Sequence, residues 1–308
     1  MTTFELQLLG TNSALPAFGR HPTAQVLQIG KELFLIDCGE GTQMRFQKFG
    51  VRPNKINQIF ISHLHGDHFY GLIGLLTTLS LLGRTKPLDI YAPEGLEEMI
   101  RVQTQYAGGE APYPLQFHLI DTEVHQLIFE NNRVEVFSIP LDHRVPTAGF
   151  LFREKPKDRK MIGSKIEEYN IPYSAIPGIK KGQGFILPDG QRISNERLTE
   201  DPTPPRSYAY CSDTRYKEDI IPIIKGVDIL YHESTFCEDL VAKTGPTGHS
   251  TAKQAAQIAK QAAVGRLILG HFSSRYEYLE LFEAEARSVF ERVVAGREGE
   301  VYGVFSNE

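Results

Sequence analysis

Short apolar runs bounded by turn residues recur along this chain at intervals that leave room for one helix between successive strands. FELQLL from Phe4, AQVLQI from Ala24, LFLIDC from Leu33, QIFIS at 58–62 and DIYA from Asp89 are rich in β-branched, aromatic and leucine side chains and read as strands. Helical spacing is read at 42–49, 69–82 and 94–106. LIFENNRVEVFSI, at 127–139, reads as a hairpin turning at Asn131-Asn132. The same idiom returns later as YAYC from Tyr208, DILYH from Asp228, a helix over 251–263 capped by Ser250 or Thr251, LILG from Leu267, and a long helix near 276–294. Strands buried between helices predict a layered α/β domain.

Between residues 153 and 205 the pattern lapses. Lys, Arg, Gly and Pro become frequent, and few stretches could bury a face. From 153 to 181 eight basic side chains stand against four acidic ones, in a chain of formal net charge −5. The reading is an arm and linker, 153–205, inserted in a single domain spanning 1–308. A solvated surface insertion would have this composition; a basic arm holding a polyanion, with Lys180 and Lys181 as contacts, is the sharper alternative.

At 308 residues, 41% hydrophobic and 23% charged, the chain is long enough for a sizeable core. Its acidic balance excludes a protein that is basic throughout, as many nucleic-acid binders are, while allowing a local basic patch. No apolar run approaches the roughly 20 residues of a membrane span, and the first apolar segment reads as a strand rather than a signal peptide, so a cytoplasmic location with no membrane partner is expected. Cys38, Cys211 and Cys237 are odd in number, widely spaced and without a CxxC pair. That excludes a disulfide framework and a zinc ribbon, and leaves small buried hydrophobes.

The chemistry concentrates in HLHGDH, residues 63–68, directly after the QIFIS strand. Residues two apart in an extended segment point the same way, so His63 and His65 can converge on one ion. Gly66 is expected to permit a sharp turn that sends Asp67 and His68 to a second position. Three imidazoles and a carboxylate beside a buried strand need something to coordinate, because buried polar groups need partners. Completing two ions takes further ligands. His143 after VFSIPLD, Asp213 after YAYCS and His271 after LILG repeat the geometry of an apolar strand delivering a polar side chain at its C-terminal end. His249 precedes a helix, where an exposed histidine in a capping loop is an equally good reading.

HLHGDH with His143, Asp213 and His271 resembles the metallo-β-lactamase superfamily over nearly the whole chain. Within it, LGTNSALP from Leu9, LIDCGEGTQ from Leu35, HESTF from His232, GHSTA at 248–252 and HFSSRY from His271 are similar to the short form of the transfer-RNA 3′-processing endonuclease family, ribonuclease Z. The resemblance implies an αββα sandwich and two Zn²⁺ per subunit. His63, His65 and His143 would bind one zinc, Asp67, His68 and His271 the other, with Asp213 bridging. It also implies Asp67 as general base, His249 as general acid, Glu233 as the group orienting His249, and Asp37 outside the ligands holding a histidine tautomer. Arg275 is the expected phosphate contact near the cut.

The implied substrate is precursor tRNA, cut to leave a 3′-hydroxyl on the tRNA and a 5′-phosphate on the trailer, by a homodimer in which one subunit's arm serves the other's active site. Two other functions fit parts of the pattern: a small-molecule phosphodiesterase or arylsulfatase-like hydrolase of the same fold, and a non-catalytic RNA-binding zinc protein. The chain departs from the family at Ser212, where glycine is usual and where no ligand contact is expected, and at His21, where asparagine is usual. It departs most in the arm sequence IPYSAIPGIKKGQG from Ile171, which has fewer glycines than the family's arm tip.

Overall fold

In a computed structural model, which describes residues 3–106, 109 and 111–305, the chain forms two seven-stranded sheets. The first runs, in spatial order, Val301–Gly303, Phe4–Gly10, Ala24–Ile29, Glu32–Cys38, Ile56–Phe60, Leu88–Ala92 and Leu115–Leu119. The second runs Val293–Ala295, Arg266–Gly270, Ile229–Glu233, Ser207–Cys211, Ala148–Glu154, Val134–Pro140 and Leu127–Glu130. Each sheet is part antiparallel and part parallel, and the parallel parts begin with Glu32–Cys38 in one and Ser207–Cys211 in the other.

An aromatic layer joins the sheets: Phe34, Phe60, Phe150, Phe152, Tyr208, Tyr210 and Tyr231 are all buried in one cluster. Burying such a side chain is worth roughly 1.5–3 kcal/mol, enough for this layer to hold the strand ends that carry the site in a fixed relation. A second apolar cluster lies under the helices Thr42–Phe49, Leu72–Leu81 and Leu96–Tyr106, against the first sheet. A third lies under Ala252–Gln261 and Glu280–Arg287, against the second. Helix, sheet, sheet, helix is the αββα sandwich. No helix among the described residues is long and apolar enough to cross a membrane.

Several boundaries differ from expectation for physical reasons. The helix expected over 276–294 occupies only Glu280–Arg287, because Val293–Ala295 is drawn off as a parallel edge strand on Arg266–Gly270. Ala148–Glu154, broken by Gly149 and followed by charge, reads poorly as a strand, yet it pairs antiparallel with Ser207–Cys211. Gly149 is required there: a Cβ would stand 2.3 Å from the Tyr210 carbonyl oxygen. The hairpin at Asn131 is as expected, with its carboxamide oxygen accepting from the Arg133 and Val134 amides. Cys38, Cys211 and Cys237 are free and buried.

By contacts the chain divides into two compact units, residues 1–153 with 206–308, and 154–205. The smaller unit contains more order than its composition suggests. Ile171, Ile179, Ile193 and Leu198 form its own apolar cluster, and Lys160–Met161 pairs with Thr199–Glu200. Its charge is also nearer balance than the stretch 153–181 implied, with nine basic and eight acidic side chains. Arg159 pairs with Asp201, Lys160 with Glu200, and Lys165 with Glu168. Among the described residues Lys180 and Lys181 have no ion-pair partner.

Candidate metal centre

The potential ligands leave the C-terminal ends of strands and meet at one edge of the sandwich. Ile56–Phe60 ends just before His63 and His65, Val134–Pro140 before His143, Ser207–Cys211 before Asp213, and Arg266–Gly270 before His271. Asp213 and His271 adopt left-handed backbone, with φ of 63° and 58°, and so does Asp37 at 56°. Each such non-glycine residue costs of order 1–3 kcal/mol, and together they turn three side chains out of their strand directions into one place. Asp37 does so as a β-bulge: Ile36 pairs with Gln25 and Cys38 with Ala24, leaving Asp37 out of register.

Gly66 acts differently from expectation. It is not in the left-handed region; instead His65 is extended and caps a helical turn, Gly66–Phe69, that carries Asp67 and His68 away from His63 and His65.

The imidazoles converge through named atoms. His63 Nε2 lies 3.1 Å from His65 Nδ1, which lies 3.2 Å from His143 Nε2. His68 Nε2 lies 3.3 Å from His271 Nε2. Asp213 stands between the two groups: its Oδ2 is 3.6 Å from both His63 and His143 Nε2, and its Oδ1 is 3.3 Å from His68 Nε2 and 3.1 Å from His271 Nε2. Asp67 Oδ2 closes the second group, 3.5 Å from His68 Nε2 and 3.4 Å from His271 Nε2. The sets His63, His65, His143, Asp213 and Asp67, His68, His271 each bring their donor atoms close enough to hold one ion.

The outer ring atoms decide the tautomers. His143 Nδ1 donates to the Gly248 carbonyl at 2.7 Å, and His68 Nδ1 donates to Asp37 Oδ2 at 2.7 Å. Ser62 gives its hydroxyl proton to Asp37 and Thr235 gives its own to Glu233, so both hydroxyl oxygens accept, from His63 Nδ1 and His271 Nδ1 respectively. The inner Nε2 atoms of His63, His143 and His271 therefore present lone pairs to their neighbours. Facing lone pairs at such distances repel unless a cation lies between them, which is how this donor set fits metal ions.

Electrostatics agree. Burial, reinforced by neighbouring imidazoles, holds His63 well below the usual histidine range, and burial also lowers His65 and His143, keeping them neutral as ligands must be. Burial opposes charge on His68 too, but Asp213, Asp67 and Asp37 outweigh it and raise His68 well above the usual range. Its inner proton is the one a cation must displace. Burial resists ionisation of Asp213, yet the imidazoles facing it, protonated His68 among them, hold it well below the carboxylate range.

His249 and Glu233 form the other half of the site. His249 is not the exposed capping residue its sequence position allows, since it is only 8% exposed and Thr251 supplies the helix cap. Its Nδ1 donates to Glu233 Oε1 at 2.8 Å. Glu233, fully buried, also accepts from the Thr214, Thr235 and Ser250 amides and the Thr235 hydroxyl. Burial disfavours charge on His249, but Glu233 and Asp213 prevail and push it up to about 9. Asp37, likewise buried, accepts from Ser62, His68 and the Tyr210 hydroxyl, the last at 2.5 Å.

An open cleft of about 450 Å³ is lined by Asp67, Asp213, His249 and His271. Arg144 lines it, and Arg275, although exposed, is not among its lining residues. The signal for Arg144 was present in the sequence, as the cation next to His143. Ser212 corrects another expectation, because its hydroxyl donates to Asp213 Oδ1 at 2.9 Å and so does touch a candidate ligand. His21 is held by Glu298 at 3.2 Å. Lys180 and Lys181 belong to the 154–205 unit.

The chain was compared with known proteins. Residues 4–140 match the family described as anti-Pycsar protein Apyc1. A protein of Porphyromonas gingivalis named ribonuclease Z is 46% identical over 298 residues, covering 97% of this chain and 98% of the relative. The chain belongs to the ribonuclease Z family. The ribonuclease Z of Cytophaga hutchinsonii is 44% identical over 302 residues, covering 98% of this chain and 96% of the relative. Among solved structures, the short form of human tRNase Z superposes with a TM-score of 0.70 at 26% identity, covering 97% of this chain and 99% of that one. YhfI of Bacillus subtilis, a metallo-β-lactamase fold protein, has a TM-score of 0.69 at 18% identity, covering 98% of this chain and 100% of that one, a likeness of fold. The converging histidines and aspartates on this fold point to a metal-dependent site.

Proposed function

We propose that this chain is a zinc-dependent endoribonuclease that removes the 3′ trailer from precursor tRNA. The observation that carries the two-ion reading is Asp213, whose two oxygens are divided between His63 with His143 and His68 with His271. His63, His65 and His143 would hold one Zn²⁺, Asp67, His68 and His271 the other, and Asp213 would bridge them. Bound there, the pair supplies charge stabilisation at phosphorus and a water that ionises near neutral pH.

The chain's own groups do the rest. Asp67, fixed by the Ala14 amide at 2.7 Å, receives the nucleophile's proton. The water oxygen bonds to phosphorus, the bond from phosphorus to the 3′ oxygen breaks, and His249, oriented by Glu233, protonates that departing oxygen. The tRNA keeps a 3′-hydroxyl and the trailer a 5′-phosphate. Asp37 fixes the His68 ring, and Arg144 at the cleft, with Arg275 outside it, serves the phosphates. Lys180 and Lys181 offer the unit 154–205 unpaired cations for the tRNA backbone. We further propose that the enzyme works in the cytoplasm as a homodimer, with the inserted unit of one subunit serving the other's active site.

Incubation with a tRNA bearing a 3′ trailer, with and without chelator, followed by end-group analysis, tests this. A 3′-hydroxyl on the tRNA and chelator-sensitive cleavage are expected. A 2′,3′-cyclic phosphate would overturn hydrolytic attack by water.

A further inference from the structure

Beside the catalytic groups lies an aromatic side chain with no part in the reaction described above. Tyr70 is 65% exposed, lines the same cleft as Asp67 and His249, and among the described residues makes no side-chain hydrogen bond. Its ring is nevertheless held in place. It lies across Gly66, where a Cβ would stand 2.2 Å from Tyr70 Cε2, and it meets the ring of buried Phe69 edge-on at 4.9 Å. The glycine between His65 and Asp67 thus gives room to a tyrosine rather than a left-handed turn.

Two neighbours define what that ring suits. Leu15, 61% exposed, is a further apolar surface in the cleft. Glu40 lines the cleft as well, on a segment that packs closely against the one carrying Tyr70, since a Cβ at Gly71 would stand 2.1 Å from the Gly39 carbonyl oxygen. A carboxylate at that rim repels a phosphate and accepts from a base amino group. A flat ring, an apolar neighbour and an acceptor suit a nucleobase and not a backbone.

Resting on the ribonuclease reading above, we infer that Tyr70 is a stacking platform for a nucleobase of the RNA strand adjacent to the scissile phosphate. Stacking on aromatic side chains is worth about 1–3 kcal/mol per base by truncation, which corresponds to roughly a 5- to 150-fold effect.

The test compares wild type, Tyr70→Leu and Tyr70→Phe on an intact precursor and on precursors carrying one abasic nucleotide at successive positions flanking the cut. Tyr70→Leu is expected to lower kcat/KM on intact RNA within that range, and Tyr70→Phe to restore it. At one abasic position the wild type should fall to the level of Tyr70→Leu, because the partner base is gone. A Tyr70→Leu loss below about twofold, or the same loss on every abasic substrate, overturns the assignment while leaving the ribonuclease reading intact. A wild type that cleaves no precursor overturns both.

Discussion

His249 Nδ1 donates to Glu233 Oε1 across 2.8 Å, between a ring that lines the cleft on one side and a fully buried carboxylate on the other. The same carboxylate accepts the backbone amides of Thr214 and Ser250, so the histidine is tied to the segments carrying Asp213 and the start of the helix Ala252–Gln261. Orientation and protonation of His249 thus share one cause.

That pairing sets a pH dependence. With its pKa raised to about 9, His249 is protonated at neutral pH, and an acid step that needs this proton weakens as pH rises through that value. Glu233→Gln removes the charge that raises it, so the alkaline fall of kcat/KM on precursor RNA is expected to begin at lower pH. His249→Ala should lower kcat by roughly 10²- to 10⁴-fold with RNA binding retained. An alkaline limb indifferent to Glu233→Gln would remove His249 as the acid.

Asp67 touches both His68 and His271 within 3.5 Å and lies in the cleft. Asp67→Ala is expected to abolish cleavage and reduce bound metal, with RNA affinity mostly intact by gel shift. Persistent cleavage would dismiss the metal mechanism.

Metal uptake should release protons. His68 is held protonated by Asp213, Asp67 and Asp37 when no cation is present, so a cation competes with a proton there. Affinity for Zn²⁺ is expected to rise with pH, and calorimetry in buffers of different ionisation enthalpy should show proton release. Chelation should lower Tm, since binding to the folded state alone stabilises it.

Gly248 combines two requirements in one residue. Its φ is 78°, and a Cβ would stand 2.7 Å from His143 Nδ1, the atom that donates to the Gly248 carbonyl. Gly248→Ala should cost roughly 1–2 kcal/mol in backbone strain alone and displace His143. Metal content and denaturant unfolding together measure it; an unchanged metal stoichiometry would show that His143 tolerates the shift.

Arg153 and Ser207 are register partners in neighbouring antiparallel strands. The unit 154–205 can therefore be replaced by a short turn, whereas a cut at 181 would divide its core of Ile171, Ile179, Ile193 and Leu198. The shortened protein is expected to lose precursor cleavage and keep hydrolysis of a small phosphodiester such as bis(p-nitrophenyl) phosphate. Full RNA cleavage without the unit would remove it, with Lys180 and Lys181, from precursor binding.

The sequence by itself determined most of the strand and helix idiom and named the candidate ligands, because a period of two or 3.6 and a polar residue after an apolar strand are local properties. His63, His65, Asp67, His68, His143, Asp213 and His271 were candidates before any contact was known, and the structure brings them together. Only the tertiary structure decided that His65 faces inward through Nδ1 where the others use Nε2, that Ser212 donates to Asp213, that Gly66 serves Tyr70, and that His249 is buried on Glu233. Each of those depends on atoms distant in the chain or on the rotation of a ring. The edge strand Val293–Ala295 went unread for the same reason, since its pairing partner, rather than its own three residues, makes it a strand.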